Sequence, residues 1–219
     1  NTALGYHALR NGTSALNNVG LGMHAGCAIT TGQNNIAIGR DALSTGTNIN
    51  NNVAVGRDAL CTNAASNNTA VGTSTLRLNT TGACNTAVGF QALCSNTTGG
   101  NNVAFGNDAL ALNTAGGLNA AFGLAALRDN STGFGNVAVG FCSMFKNTSG
   151  FQNIGIGYYT LACNTTGNFN TALGALALNA NTASNNTAIG TSALRNNTTG
   201  TNNTAVGYNV LTNNTTGIQ

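Results

Sequence analysis

The chain has 219 residues, a formal net charge of +3 and only 5% charged side chains. This composition supplies neither a basic stripe to neutralise phosphates nor an acidic tail, which argues against nucleic acid as a partner. No apolar run approaches the roughly 18 residues of a membrane-spanning helix, so we predict no membrane span.

One phrase, Asn-x-Ala-apolar-Gly with few departures, recurs thirteen times. We call its closing residue the anchor glycine, and ten of the twelve intervals between anchors are 17 residues while two are 16. The anchors are Gly5, Gly22, Gly39, Gly56, Gly72, Gly89, Gly106, Gly123, Gly140, Gly157, Gly174, Gly190 and Gly207. Such regularity is typical of solenoids. We therefore predict a single all-β domain over residues 1–219, a parallel β-solenoid (β-roll) of thirteen 16–17-residue coils without helix.

Each coil opens with an asparagine four residues before its anchor glycine. Identical amides stacked at about 4.8 Å can donate and accept hydrogen bonds from coil to coil. We therefore predict a structural ladder made of Asn1, Asn18, Asn35, Asn52, Asn68, Asn85, Asn102, Asn119, Asn136, Asn153, Asn170, Asn186 and Asn203.

A second phrase follows each anchor, with a small residue at the third position and nearly always leucine at the fourth, as in Ala92-Leu93. We expect both phrases to be extended. In each of them a small and a bulky apolar residue are adjacent, and neighbouring strand residues point to opposite faces. We therefore expect both faces to be buried, one inside the coil and one against neighbouring chains.

The loop that closes most coils reads Asn-Thr-Thr-Gly or a close variant, which is turn chemistry. Two units lack its glycine and one residue, and share the sequence Asn-x-Ala-Ser-Asn at 63–67 and 181–185. The same loops contain the Asn-x-Ser/Thr pattern of glycosylation acceptors, so their asparagines are candidates for surface binding or glycosylation. These candidates are Asn79, Asn96, Asn130, Asn147, Asn164, Asn197 and Asn214.

Threonine occupies the eighth position after the anchor, directly after the loop asparagine from Asn63 onwards, in eleven of thirteen coils, including Thr80 and Thr97. Hydroxyl ladders at about 4.8 Å could order water or ice, or bind a carbohydrate. This alternative makes the chain a binding module whose Asn and Thr surface contacts glycan, a host surface or ice.

Four titratable residues fall two positions after consecutive anchors: His7, His24, Asp41 and Asp58. Such side chains can bind zinc or another divalent ion. The column continues with other residue types, and Arg40 and Arg57 stand beside the two aspartates, so a solvated edge explains it as well. We assign no metal, no cofactor and no catalytic residue, because no nucleophile motif or pocket-forming pattern is present.

Three of the six cysteines, Cys27, Cys61 and Cys94, share one column two coils apart. Their separation of about 9.6 Å, twice the strand spacing, exceeds the reach of a disulfide. We therefore expect small, partly buried free thiols.

The run Asn85-Thr86-Ala87-Val88-Gly89, followed by Ala92-Leu93, resembles the head repeats of trimeric autotransporter adhesins. It is also similar to the Asn-Thr-Ala-Val-Gly-Tyr-x-Ala-Leu repeats of bacterial and phage tail-fibre-type proteins. The resemblance extends over the whole chain, although this unit is longer than the adhesin repeat. It implies a left-handed parallel roll, three chains around one axis, and a surface-exposed stalk or head that binds other surfaces.

From these patterns we expect a structural fibre or filament segment and not an enzyme. Both ends coincide with repeat boundaries, which leads us to expect part of a longer fibre or end-to-end stacking. The expected partners are copies of the chain itself, with surface glycans or a host receptor as further candidates. The expected location is extracellular, at a cell surface or at a virion surface.

Overall fold

The computed structural model describes residues 1–217, so positions 218 and 219 of the predicted domain lie outside the described residues. Each coil contributes one three-residue strand, and all thirteen strands form a single sheet in chain order. They are β1 Thr2–Leu4, β2 Val19–Leu21, β3 Ile36–Ile38, β4 Val53–Val55, β5 Thr69–Val71, β6 Thr86–Val88, β7 Val103–Phe105, β8 Ala120–Phe122, β9 Val137–Val139, β10 Ile154–Ile156, β11 Thr171–Leu173, β12 Thr187–Ile189 and β13 Thr204–Val206.

Consecutive strands pair in parallel, and equivalent residues of successive coils lie side by side. Thr86 pairs with Val103, Ala87 with Ala104 and Val88 with Phe105. The two 16-residue intervals keep this register, since Val53 pairs with Thr69 and Ala54 with Ala70. The predicted all-β parallel β-solenoid is therefore confirmed, and the residues described form no helix that could cross a membrane.

The middle residue of every strand points into the coil, where the cross-section is narrow. It is alanine in most coils, and Ala87 and Ala104 are fully buried. Where glycine replaces alanine, a neighbouring side chain occupies the space. A Cβ on Gly155 would lie 3.0 Å from Cγ of Met144, which stands in the leucine column. Small and large residues thus compensate across the interior, as dense packing requires.

The expectation that the second phrase is extended is wrong. The residues after each anchor form turns instead of a strand. Ala92 and Leu93 are both completely buried within the coil, so this phrase needs no neighbouring chain to cover it. Leu93 adopts a φ of 52°, the left-handed region, as do the equivalent leucines of most coils. That conformation costs about 1–2 kcal/mol, which burying a leucine side chain offsets by about 1.5–3 kcal/mol.

The second coil solves the same packing problem with different residues. Gly26 stands where leucine is usual, with a φ of 60°. A Cβ there would lie 3.1 Å from Cδ1 of Ile29, a buried side chain three residues later. Ile29 therefore fills the volume that leucine fills elsewhere, while the backbone keeps its path.

The two short units close with a serine hydroxyl in place of the usual loop. Ser66 Oγ accepts a hydrogen bond from the Asn50 backbone N–H at 3.0 Å, and Ser184 Oγ accepts one from Asn168 at 2.9 Å. In two full-length units an asparagine amide oxygen takes this role, as Asn50 Oδ1 does for the Gln33 N–H. The loop sequence therefore differs in the short units, but the hydrogen bond between successive coils is kept.

Candidate functional site

The asparagine column before the strands forms an amide ladder inside the solenoid. Asn102 Oδ1 accepts a hydrogen bond from the backbone N–H of Asn119 at 3.0 Å, and Asn85 Oδ1 accepts one from Asn102 at 2.9 Å. The Asn102 amide then crosses the coil, where Nδ2 donates to the Gly116 carbonyl at 2.9 Å. From Asn18 to Asn203 these side chains are essentially inaccessible to solvent. Asn102 thus joins its coil to both neighbours and closes its own loop.

The loop asparagines form a second internal ladder from Asn63 onwards. Asn96 Nδ2 donates to Asn79 Oδ1 at 2.7 Å, and Asn113 Nδ2 donates to Asn96 Oδ1 at 2.7 Å. One link is missing where the second short unit begins, since Asn164 Oδ1 is buried without a hydrogen-bond partner. Like the first ladder, this column joins successive coils through buried side-chain amides.

This placement does not fit the surface role expected of the glycosylation acceptors. Six of them are completely buried, namely Asn79, Asn96, Asn130, Asn147, Asn164 and Asn197. The seventh, Asn214, is partly buried and donates to Asn197 Oδ1 at 3.4 Å. A glycan on any of the six would have to replace an amide that lies inside the coil. The acceptor pattern reflects turn sequence that happens to coincide with a buried ladder.

The two ladders meet at the carbonyl of the loop glycine. Gly99 O accepts from Asn85 Nδ2 and from Asn96 Nδ2, both at 2.9 Å. A Cβ on Gly99 would lie 2.6 Å from Asn96 Oδ1 and 2.8 Å from Asn113 Nδ2. The loop glycine is thus required by the close approach of buried amides.

The threonine column after the loop asparagine directs its hydroxyls to the backbone. Thr80 Oγ1 donates to the Thr97 carbonyl at 2.8 Å, and Thr97 Oγ1 donates to the Thr114 carbonyl at 2.9 Å. Their hydroxyl hydrogens are therefore engaged within the chain. A ligand at this surface would find oxygen acceptors here but no free donors from these groups.

The histidine and aspartate column is brought together as its spacing predicts. The His7 and His24 rings stack with centroids 5.5 Å apart, and His24 Nδ1 lies 3.2 Å from Asp41 Oδ1. Arg40 Nε is 3.4 Å from Asp41 Oδ2, and Arg57 pairs with Asp58 in the same way. Desolvation lowers the pKa of His7, with smaller effects from Arg10 and His24. Within residues 1–217, no three His, Cys, Asp or Glu side chains are grouped to hold a metal.

The six thiols are free and differ in exposure. Cys84 is exposed at a turn, whereas Cys142 is buried. Desolvation raises the pKa of the Cys142 thiol, partly offset by a hydrogen bond with Tyr159 and by Arg128. Desolvation likewise raises the pKa of Cys27, whose Sγ donates to the Ser44 carbonyl at 3.3 Å.

These environments predict the order in which the thiols react. In the native protein Cys84 should react with a disulfide reagent first, and Cys142 more slowly by roughly tenfold or more, because burial limits access and thiolate formation. A raised pKa means that less thiolate forms at a given pH, so the Cys142 rate should gain most at alkaline pH. Stopped-flow kinetics with Ellman's reagent measures both phases. Cys84→Asn restores the residue of neighbouring coils and should remove the fast phase; its survival would refute this assignment.

The outward side of the strands is only partly covered by the rest of the described chain. We call it the outer sheet face: the first and third residues of β1 to β13, which flank the buried middle residue. It contains no charged residue in any of the thirteen coils. Members at the third position are Leu4, Leu21, Ile38, Val55, Val71, Val88, Phe105, Phe122, Val139, Ile156, Leu173, Ile189 and Val206, all intermediate or exposed. The expectation that both faces of the first phrase are buried is therefore met only by the inner face, and burial of the outer face against neighbouring chains stays a prediction.

Aromatic residues of neighbouring coils stack in the middle of the molecule, which sequence reasoning did not foresee. Phe105 and Phe122 stack on the outer sheet face with centroids 5.6 Å apart and ring planes 9° apart. Phe134 and Phe151 form a second parallel stack at 4.9 Å on the turn before the strands. Each pair is 17 residues apart, so the unit length was the signal that could have revealed them.

No family model, no curated protein and no solved structure matches this sequence.

Proposed function

We propose that this chain is a structural fibre segment, a rigid rod that self-associates through its outer sheet face. The observation that supports the proposal is the absence of charge on that face and the continuous apolar column at its third strand position. A single chain leaves large side chains such as Leu173 and Ile156 in contact with water. Continuous apolar patches of this kind mark sites of association with other molecules.

The dimensions of the face suit an interface between copies. Thirteen strands span twelve steps of about 4.8 Å, which gives a strip about 58 Å long. A three-residue strand is about 10 Å long, so the face itself covers about 580 Å², and residues beside it would supply the rest of the roughly 800 Å² that each partner buries in a stable interface. A second copy has the same axial spacing, so its side chains can interdigitate along the whole strip.

The resemblance to adhesin head repeats and tail-fibre-type repeats supports a left-handed coil and a homotrimer. It also supports exposure at a cell or virion surface, where a rod holds a binding tip away from its base. Axial hydrogen bonds and two internal amide ladders supply the stiffness that this role requires. The binding-module alternative lacks a favouring observation, because the loop amides are buried and the threonine hydroxyls donate to the backbone.

A charge placed on the outer sheet face tests the proposal. Val71→Asp combined with Val88→Asp should leave the coil folded, since both side chains are outside it, yet should weaken self-association at least about a hundredfold. The reason is that burying an unpaired carboxylate costs several kcal/mol. Sedimentation velocity measures the association, and circular dichroism checks the fold.

The matched control places the same charges at the exposed loop residues Thr81 and Thr98, one coil apart as Val71 and Val88 are. Thr81→Asp with Thr98→Asp should associate like the unmodified chain. A chain that stays monomeric at micromolar concentration, or a face variant that associates normally, would overturn the proposal. Cryo-electron microscopy of the assembled protein then counts the chains in each cross-section.

A further inference from the structure

The repeat that builds the outer sheet face leaves the alignment of two copies undetermined. At the third strand position most coils present valine, isoleucine or leucine, such as Val55, Val71 and Val88. If one copy slid past another by one coil, similar side chains would again face each other. A periodic face therefore favours association but does not by itself select one axial offset.

At the third strand position this periodicity is broken at β7 and β8 only. Phe105 and Phe122 replace the aliphatic residue there, and they are 40% and 41% exposed. Their rings stack on each other, which holds both against the sheet in one orientation. Two further stacks belong to the next two strands. Phe134 and Phe151 precede β9 and β10, and Phe141 and Tyr158, with centroids 5.5 Å apart, follow them. Aromatic rings at the third strand position are thus confined to the middle of the strip.

The outer sheet face has no charged residue that could align two copies through ion pairs. Every charged side chain of the chain stands after an anchor glycine, outside the strands, as Arg40 and Asp108 do. A partner that contacts this face therefore meets no charge, but only apolar side chains and the hydroxyls of six threonines at the first strand position, namely Thr2, Thr69, Thr86, Thr171, Thr187 and Thr204. The most complementary partner is a second copy, because it shares the 17-residue unit and the strand spacing that follows from it.

We propose that Phe105 and Phe122 set the axial register between copies of this chain. When copies lie parallel and level, the rings of one copy meet the rings of the next in the middle of the bundle. A slip of one coil moves a ring of each copy against Val88 or Val139, where the ring contact is lost. This inference rests on the proposed self-association, which it deepens by naming the residues that align the chains.

The test is a crosslink that reports which coil of the partner lies opposite a chosen coil. A small aliphatic diazirine residue is introduced at Leu21, in β2, well away from the rings. Nitrogen-15-labelled and unlabelled copies are mixed, assembled and irradiated, and mass spectrometry identifies crosslinks between a heavy and a light chain. In the unmodified background we expect these crosslinks to fall on one coil of the partner.

The variant Phe105→Val with Phe122→Val restores the regular column, and both residues are outside the coil, so the fold should persist. We expect its preference for one register to fall roughly tenfold, the effect of losing one favourable aromatic contact, with crosslinks spread over several coils. The control Leu173→Val with Ile189→Val trims the same column elsewhere and should keep one register.

The outcomes separate this inference from the proposed function. If no crosslink joins heavy and light chains, self-association fails and the register inference fails with it. If crosslinks form but are spread over several coils in the unmodified background, the rings do not align the chains. If the double phenylalanine variant still crosslinks to one coil, the inference is refuted while self-association stands.

Discussion

Gly140→Ala is expected to destabilise the solenoid by about 3–5 kcal/mol, a large loss for one added methyl group. Gly140 has a φ of 125°, where side chains are rarely tolerated. A Cβ there would lie 2.5 Å from the Gly157 carbonyl oxygen and 2.8 Å from its carbonyl carbon. Both partners are backbone atoms of the next coil, so neither can move without displacing that coil. Thermal and urea unfolding midpoints measure the loss.

Gly135→Ala is the matched control, five residues earlier at the end of the preceding coil. Gly135 has a φ of 65°, and a Cβ there would meet only Cγ of Gln152 at 3.4 Å. The expected cost is about 1–2 kcal/mol, that of a left-handed conformation alone. Gly135→Asn should cost less, because asparagine already occupies this column in other coils, as Asn101 does. Equal losses for Gly140→Ala and Gly135→Ala would show that close approach between coils is not the limiting factor.

Asn102→Ala is expected to cost about 2–4 kcal/mol, because it leaves a buried backbone donor without a partner. The Asn119 N–H would lose its acceptor, Asn102 Oδ1, and Asn119 Nδ2 would lose a 3.2 Å contact with the same oxygen. The Gly116 carbonyl would still accept from Asn113 Nδ2 at 2.9 Å, so the loss falls mainly on the junction between coils. Denaturant unfolding measures the effect.

Asn107→Ala is the control for this substitution, because Asn107 is exposed and its side chain hydrogen-bonds only to its neighbour Asp108. Its removal should change stability by less than about 0.5 kcal/mol. If Asn102→Ala changed stability as little as Asn107→Ala, the amide ladder would contribute little and the strand pairing alone would hold the coils together. Repeat proteins can unfold in parts, so unfolding midpoints should be compared before any free energy is extracted.

The period of the sequence was sufficient to predict the stack and the order of its strands. Equivalent residues must lie side by side when each unit makes one turn, which is why Asn85 and Asn102 could be predicted as neighbours. The same argument brought His24 next to Asp41. Which residues are neighbours along the axis follows from the length of the unit alone. The path of the backbone within a coil does not affect this prediction.

The path within a coil was harder to predict. Leu93 adopts a left-handed conformation that leucine rarely takes, and no local signal marks it, because the compensation comes from burial in the finished stack. The sequence Asn-Thr-Thr-Gly is typical of exposed turns, and it therefore predicts a surface position for Asn96. It lies inside because the loop glycine carbonyl and the neighbouring amides supply its partners. Whether a turn faces inwards depends on contacts made only after folding.

The hydrogen bonds between coils run along the axis of the solenoid, as the pairing of β6 with β7 illustrates. A force that pulls the two ends of the chain apart therefore loads these bonds one coil at a time, starting at an end. Each 17-residue coil that opens would lengthen the molecule by roughly 50 Å, since its extended length far exceeds the 4.8 Å step it occupied. The stack would in this way yield under tension in successive, nearly equal steps of one coil each.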